Sequence, residues 1–327
     1  MSNHGPSVAI ACQGGGSHSA FTASALQRLL PAVDSESNLV GLSGTSGGAL
    51  CAVTAWYGLL SEGHDYAGQL LEDIWCDVAA TTPPSFLLNE SLVWRKRLQN
   101  RMLPAPDISP YATPGGVGHD WYLSLLDRHI DFAEFDALAD EAPPHVTVGT
   151  VNVNSGVFET FTDAAITPKA VLASAAFPLL YKAVELNGHW HWDGLFSQNP
   201  PIREFLTSGR PKPDEIWVIQ IEPQTRDDRP TSLAEITDRR QELSGNISLN
   251  QELFFVRKVN DWVEKGYLPD GFKHVEIRRL TLDKKLTAAS KRDRDPRFIE
   301  DLMETGRTEA DEFLNRVPKD VAEPPCQ

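Results

Sequence analysis

Two glycine-rich turns and one distant carboxylate carry the clearest chemistry in this chain. Gly14-Gly15-Gly16 form the first turn and Gly44-Thr45-Ser46-Gly47-Gly48 the second, while Asp193-Gly194 stands far downstream. The second turn has the form G-x-S-x-G. That spacing sets a serine on a tight strand-to-helix bend, with its hydroxyl thrust out of the fold. Gly44 and Gly48 flank Ser46 closely enough to tolerate the bend. The first turn offers bare backbone N–H groups, which hold a negative oxygen. Gly47 adds another N–H, and the N-terminus of a following helix adds positive potential. These groups suit acyl transfer through a serine ester, with no metal or organic cofactor required.

A serine hydroxyl is a weak nucleophile and needs a base within hydrogen-bond reach. In the order Ser…Asp…His, the histidine after Asp193 is His274, which makes a triad through Ser46 and His274 one reading. The other is a direct pair, in which Asp193 takes the hydroxyl proton itself. That works if burial raises the carboxylate's pKa toward the operating pH. His189, His191 and Asp193 alternate along a strand-like stretch and would share one face, a spacing that also suits a metal hydrolase. The plainer reading of that stretch is a hairpin edge carrying polar residues. His18, at the start of a helix, either steadies an anionic group such as a phosphate or is a cap residue. The serine turn itself could be a plain bend or a phosphate cradle, but it lacks the Gly-Lys-Ser/Thr ending of a P-loop.

The elements that must position these groups are legible in outline. Ser7 to Cys12 is a short apolar run that predicts a buried parallel strand leading into the first turn. Ala23, Leu26, Leu29 and Leu30 then recur at helical spacing up to Pro31. Leu39 to Leu42 is a second strand running into the serine turn, and Ala49 to Leu60 reads as a helix apolar on nearly all sides, hence buried. This repeated strand–turn–helix order points to an α/β sheet with its site at the carboxyl ends of the strands. Downstream, His145 to Val151 and Val157 to Thr162 read as a hairpin around Asn154-Ser155-Gly156. Pro168 to Ala176 is a small-residue helix opened by proline. Glu215 to Ile221 and Val275 to Leu280 are further strands, and Pro296 to Leu314 is a charged amphipathic helix. Arg226 to Pro230 and Lys291 to Asp295 read as polar surface loops.

Bulk composition narrows the classes. The chain has 327 residues, 41% hydrophobic and 23% charged, an ordinary globular mix. Thirty Lys and Arg against 45 Asp and Glu give a formal charge of −15, which argues against nucleic acid as a partner and against wholesale attraction to anionic lipid. Cys12, Cys51, Cys76 and Cys326 make no metal-like spacing. No signal peptide or spanning helix is evident, so a cytoplasmic setting is expected. Residues 86–103 are a basic island, with Arg95, Lys96, Arg97 and Arg101 among leucines and Trp94. They suit either peripheral membrane contact or a cap helix over the site. Phe254, Phe255 and Trp262 lie in another apolar helix, as core or as acyl-pocket lining.

Four ordered motifs resemble the patatin-like phospholipases: Gln13-Gly14-Gly15-Gly16-Ser17-His18, Gly44-Thr45-Ser46-Gly47-Gly48, Ala173-Ser174-Ala175-Ala176-Phe177-Pro178, and Asp193-Gly194 followed by Asn199-Pro200-Pro201. They span roughly residues 7 to 221. His18 stands where many relatives carry arginine, and Leu195 replaces a second glycine after Asp193. The resemblance implies a three-layer α/β/α fold with a mostly parallel central sheet. It also implies a Ser–Asp dyad without histidine, with Ser46 as nucleophile, Asp193 as general base, and Gly14, Gly15 and Gly16 lining the oxyanion hole. The chain then reads as one domain over 1–327, with a motif-bearing core at about 7–221 and a C-terminal helical extension at about 231–327. Its expected substrate is a lipid or other acyl ester. An acyltransferase using the same acyl-serine and a non-catalytic lipid binder are the alternative classes.

Overall fold

Apolar runs ahead of glycine turns favour strands buried on both faces, and Ser7–Cys12 (β1) and Asn38–Gly44 (β2) form two such strands. The computed structural model describes residues 5–82, 85–86, 89–90, 93, 109–112, 117–139, 144–178 and 180–317. Further strands are β3 (His145–Asn152), β4 (Phe158–Thr162), β5 (Val184–Leu186), β6 (His189–Asp193), β7 (Glu215–Gln220) and β8 (Glu276–Thr281). The main helices are α1 (Ala20–Glu36), α2 (Gly47–Glu62), α3 (His64–Val78), α4 (Val117–His129), α5 (Pro168–Ser174), α6 (Leu233–Glu264) and α7 (Pro296–Arg316). The expected basic segment at 86–103 lies almost wholly outside the described residues.

The strands make one sheet in the order β5-β6-β3-β2-β1-β7-β8, with β4 paired to β3 off this path. From β3 to β8 every neighbouring pair is parallel, and β4, β5 and β6 join antiparallel. The period of two along each strand divides the core. Val8, Ile10, Cys12, Trp217 and Ile219 face one apolar layer with α1, α2, α3 and α7. Ala9, Ala11, Ile216 and Val218 face the other, closed by Leu249, Leu253, Val256 and Val259 of α6. The result is the three-layer α/β/α arrangement with a mostly parallel sheet.

Local signals set several boundaries. Pro168 opens α5 behind Thr167, whose hydroxyl accepts the Ala170 N–H. Ser232 and Glu235 form a capping box at the start of α6. α1 does not stop at Pro31 but runs on to Glu36. Val33, beyond the proline, is fully buried, and that packing offsets the hydrogen bond the ring removes. Among the described residues no helix is long and apolar enough to cross a membrane.

Candidate active site

Sheet register brings the two turns and the carboxylate together. β1 and β2 are adjacent and parallel, with Cys12 paired to Gly44, so both glycine turns leave the same sheet edge side by side. Gly44 pairs with Val148 on β3, and Thr150, two residues on, pairs with Asp193 on the antiparallel β6. Asp193 therefore ends level with Ser46, although 147 positions separate them in the sequence.

Ser46 is the residue before α2 and holds φ 56° and ψ −127°, a left-handed backbone that a non-glycine residue adopts only under constraint. Ser174 at the end of α5 supplies part of that constraint. Its Oγ accepts the Ser46 N–H at 2.9 Å and donates to the Gly149 carbonyl at 2.8 Å. Ser174→Ala removes both bonds in a buried setting and is expected to cost roughly 2 kcal/mol. A shift in denaturant midpoint checks this, and an unchanged midpoint means the bracket contributes nothing.

The first turn lies directly against the second. A Cβ on Gly14 would collide with the Thr45 carbonyl and stand 2.8 Å from Ser46 Cβ, so only glycine fits there. At Gly47 a Cβ would lie 2.8 Å from the Gly16 carbonyl oxygen and 2.5 Å from Ser19 Oγ. The three glycines of the turn are not equivalent. The Gly14 N–H donates to Asn199 Oδ1 at 2.7 Å, and Asn199 Nδ2 donates back to the Gly14 carbonyl at 3.3 Å. Gly14 is thus tied to the Asn199-Pro200-Pro201 segment, and its N–H is not available to an oxyanion. That corrects the expectation for Gly14. The N–H groups of Gly15, Gly16 and Gly47 have no hydrogen-bond partner among the described residues. Gln13 steadies the turn from behind, its Oε1 accepting the Ile221 and Glu222 N–H groups at 3.0 and 2.9 Å.

Asp193 is 2% exposed, and its Oδ1 accepts the Leu195 N–H at 2.8 Å. Burial pushes its carboxyl up to about 7, against the opposing pull of the Leu195 N–H, the Ser46 hydroxyl and the Lys291 ammonium. Ser46 therefore stands within interaction reach of Asp193. Tyr122 belongs to the same enclosure. Burial, then Tyr181, Cys51 and Asp193, raise its phenol far above the ordinary range, so it keeps its proton. Its hydroxyl has no partner among the described residues.

Lys291 and Glu222 are site residues that the sequence did not reveal. Lys291 sits in a short 3-10 turn, Ser290–Arg292, whose backbone presses on Gly16. Its Nζ is 2.5 Å from Glu222 Oε1, and that oxygen would lie 3.1 Å from a Cβ on Gly15. The segment expected to be a surface loop instead delivers a cation to the first turn. Glu222 is buried, which raises its carboxyl even with the ammonium beside it. Nothing in the spacing of two residues 69 positions apart signals this pair.

The histidines are elsewhere. His274 is exposed, with Nδ1 3.1 Å from Glu264 Oε1. It precedes β8, at the amino end of the parallel strands, whereas Ser46 follows the carboxyl end of β2. The triad through His274 is excluded by that separation. His189, His191 and Asp193 do alternate on β6, but His191 is turned to Glu159, Nε2 to Oε2 at 2.9 Å, and its Nδ1 lies 3.1 Å from the His189 carbonyl. Among the described residues no three His, Cys, Asp or Glu side chains converge as a metal would need. His18 is buried, with Nε2 2.9 Å from Ser290 Oγ. Burial, then Lys291, lowers its ring to about 3, so it is neutral and does not serve as a cationic phosphate anchor. Phe254 and Trp262 are exposed and so are not core; Phe255 packs against the apolar layer beneath α6.

Geometry of this kind places the chain among α/β proteins built on a serine elbow at the carboxyl edge of a parallel sheet. Residues 10–206 match the model of the patatin-like phospholipase family, and the chain belongs to that family. Membership supports lipid acyl hydrolysis in general terms. Comparison with curated proteins returns no significant match. Among solved structures, VipD from Legionella pneumophila is similar at 13% identity and a TM-score of 0.39, over 95% of this chain and 67% of that one. The type III effector ExoU is similar at 15% identity and 0.37, over 95% and 53%. Full-length ExoU in complex with SpcU, from the type III secretion system of Pseudomonas aeruginosa, gives 14% identity and 0.30, over 81% and 54%. The chain thus spans between about half and two thirds of those proteins.

Proposed function

We propose that the chain is a serine lipid acyl hydrolase working through a Ser46–Asp193 dyad. The observation that carries this reading is a buried carboxyl, raised to about 7, beside a serine held in a strained left-handed bend. Asp193 takes the Ser46 proton as Oγ attacks the ester carbonyl carbon. The carbonyl oxygen becomes an oxyanion, received by the Gly15, Gly16 and Gly47 N–H groups and by the positive end of α2. The carbon–oxygen bond to the alcohol then breaks, and the alcohol leaves with the proton from Asp193. Water repeats the sequence: Asp193 takes its proton, the hydroxide attacks the acyl-serine, and the acid departs as Ser46 regains its hydrogen. No cofactor enters any step.

Intact-protein mass spectrometry after a fluorophosphonate probe tests the nucleophile. The expected result is one adduct on the wild type and none on Ser46→Ala. An unlabelled wild type overturns the reading.

The pH profile tests the base. Only ionised Asp193 accepts a proton, so kcat/KM for a dissolved ester rises as pH climbs through about 7 and levels above it. Lys291 holds that carboxyl down, so its loss moves the rise to higher pH. The test variant is Lys291→Met combined with Glu222→Gln, which avoids leaving a buried carboxylate unpaired. A rise at the wild-type position in this variant removes Lys291 from the tuning of Asp193.

A further inference from the structure

Helix α6 is apolar on two sides and the structure covers only one. Leu249, Leu253, Val256 and Val259 pack on the sheet. On the outer side Ile236, Leu243, Ile247 and Phe254 are 46, 46, 57 and 63% exposed. At about 100° per residue these four fall within about 20° of one line along the helix, a stripe roughly 27 Å long. Exposed Leu233 lies beside its start. Single exposed apolar residues are ordinary, but an aligned row of them on one element marks a contact surface.

The opposite side of α6 meets the site. Gly245, half a turn around the helix from the stripe, faces Glu222 and Leu195, whose Cγ and Cδ1 would lie 3.2 and 3.6 Å from a Cβ there. Leu195 is the residue whose N–H holds Asp193. Phe196 follows, 53% exposed and stacked on Phe177 at 6.0 Å.

Charge on this side of α6 runs against the charge of the chain. Exposed Arg240, Lys258 and Lys265 lie within about 40° of the stripe. The acid on the same line, Asp261, is paired to Lys258 at 3.1 Å and Lys265 at 2.6 Å. Asp238, Glu242 and Glu252 are turned inward and buried, and Glu235 and Glu264 sit about a quarter-turn away. Three cations against one carboxylate leave this face positive, on a chain of formal charge −15.

We propose that the outer face of α6 is the surface by which the chain lies on an anionic lipid layer. Aliphatic and aromatic side chains enter the acyl boundary while flanking cations meet headgroup phosphates. A second copy of the chain is the poorer occupant, because a two-fold contact would set these cations against their own counterparts. The identity of the occupant rests on the lipid hydrolase reading; the stripe and its charge do not.

Vesicle sedimentation tests the proposal, with equimolar phosphatidylglycerol and phosphatidylcholine against phosphatidylcholine alone. A Ser46→Ala parent keeps the lipid intact. The parent is expected to sediment with the anionic vesicles. Leu243→Glu with Ile247→Glu should lower its partitioning about tenfold or more. Arg240→Glu with Lys258→Glu should remove the preference for the anionic vesicles. Both positions of the apolar pair are exposed and glutamate is a good helix former, and Ile247→Ser serves as a milder second variant. In the Ser46 background, turnover of a dissolved short-chain ester stays unchanged in all of these. Undiminished sedimentation of the apolar variants overturns the proposal, as does a parent that ignores both vesicles. So does a dimer in gel filtration that the apolar pair dissociates. Vesicle binding lost with the stripe but no fluorophosphonate adduct on Ser46 would retain the docking surface and sink the hydrolase reading; the reverse pattern sinks the docking surface alone.

Discussion

Ser46→Ala is expected to lower kcat/KM for a dissolved short-chain ester by roughly 10⁴-fold or more, down to what water achieves beside an empty oxyanion site. The change removes one oxygen and leaves the elbow in place, since the Ser174 bracket binds the backbone N–H of residue 46 and not its hydroxyl. Circular dichroism and thermal midpoint should therefore match the wild type. Steady-state kinetics with active-site titration measure the loss. Substantial turnover by a folded Ser46→Ala protein would show that another group performs the attack.

Asp193→Asn is expected to cost about as much, roughly 10⁴-fold, because nucleophile and base act as one unit. Asparagine retains an oxygen for the Leu195 N–H, so the turn after β6 survives. What disappears is the proton acceptor, and with it the rise of activity through about pH 7. Stability moves the other way. In the fold this carboxyl keeps its proton up to about 7, while an unfolded aspartate releases it near 3.8. The folded state thus binds more protons between those values, and wild-type stability falls as pH rises across that window. Asparagine has no charge to bury, so the variant should melt higher than the wild type above pH 7, and the gap should close as pH falls toward about 3.8, below which Asp193 is protonated in both states. A variant with normal turnover would remove Asp193 as the base, and His274 is placed too far away to replace it.

The two variants also separate the site's chemistry from its setting. Lys291 and Tyr122 act on Asp193 without attacking anything. Burial raises the carboxyl's pKa, while the Leu195 N–H, the Ser46 hydroxyl and the Lys291 ammonium lower it, and the balance lands near neutrality. Had burial acted alone, the base would stay protonated at neutral pH. Had the lowering groups won, it would be a weaker base than the serine needs. The ion pair with Glu222 holds that ammonium at the glycine turn.

Some of this was determined by the sequence alone. Ser7 to Cys12 and Leu39 to Leu42 are short, apolar and followed by glycines, and local sterics leave such segments few choices besides buried strands entering tight turns. The G-x-S-x-G spacing likewise marks a tight bend before a helix, although the Ser174 hydroxyl of α5 helps to hold the strained serine there. Family membership follows from motifs that are each local. Tertiary structure decided the rest. Whether His274 could reach Ser46 depended on which end of β8 it occupied, a matter of strand direction and not of chain order. The fate of the Gly14 N–H depended on Asn199, 185 positions away. Lys291 reads as a solvated loop residue until α6 and α7 place its turn against Gly16. The aligned face of α6 became a surface only because the sheet is wide enough to cover the opposite one. Local spacing sets backbone conformation through neighbouring sterics; charge, protonation and exposure arise from groups brought together across the sheet, where no spacing rule relates them.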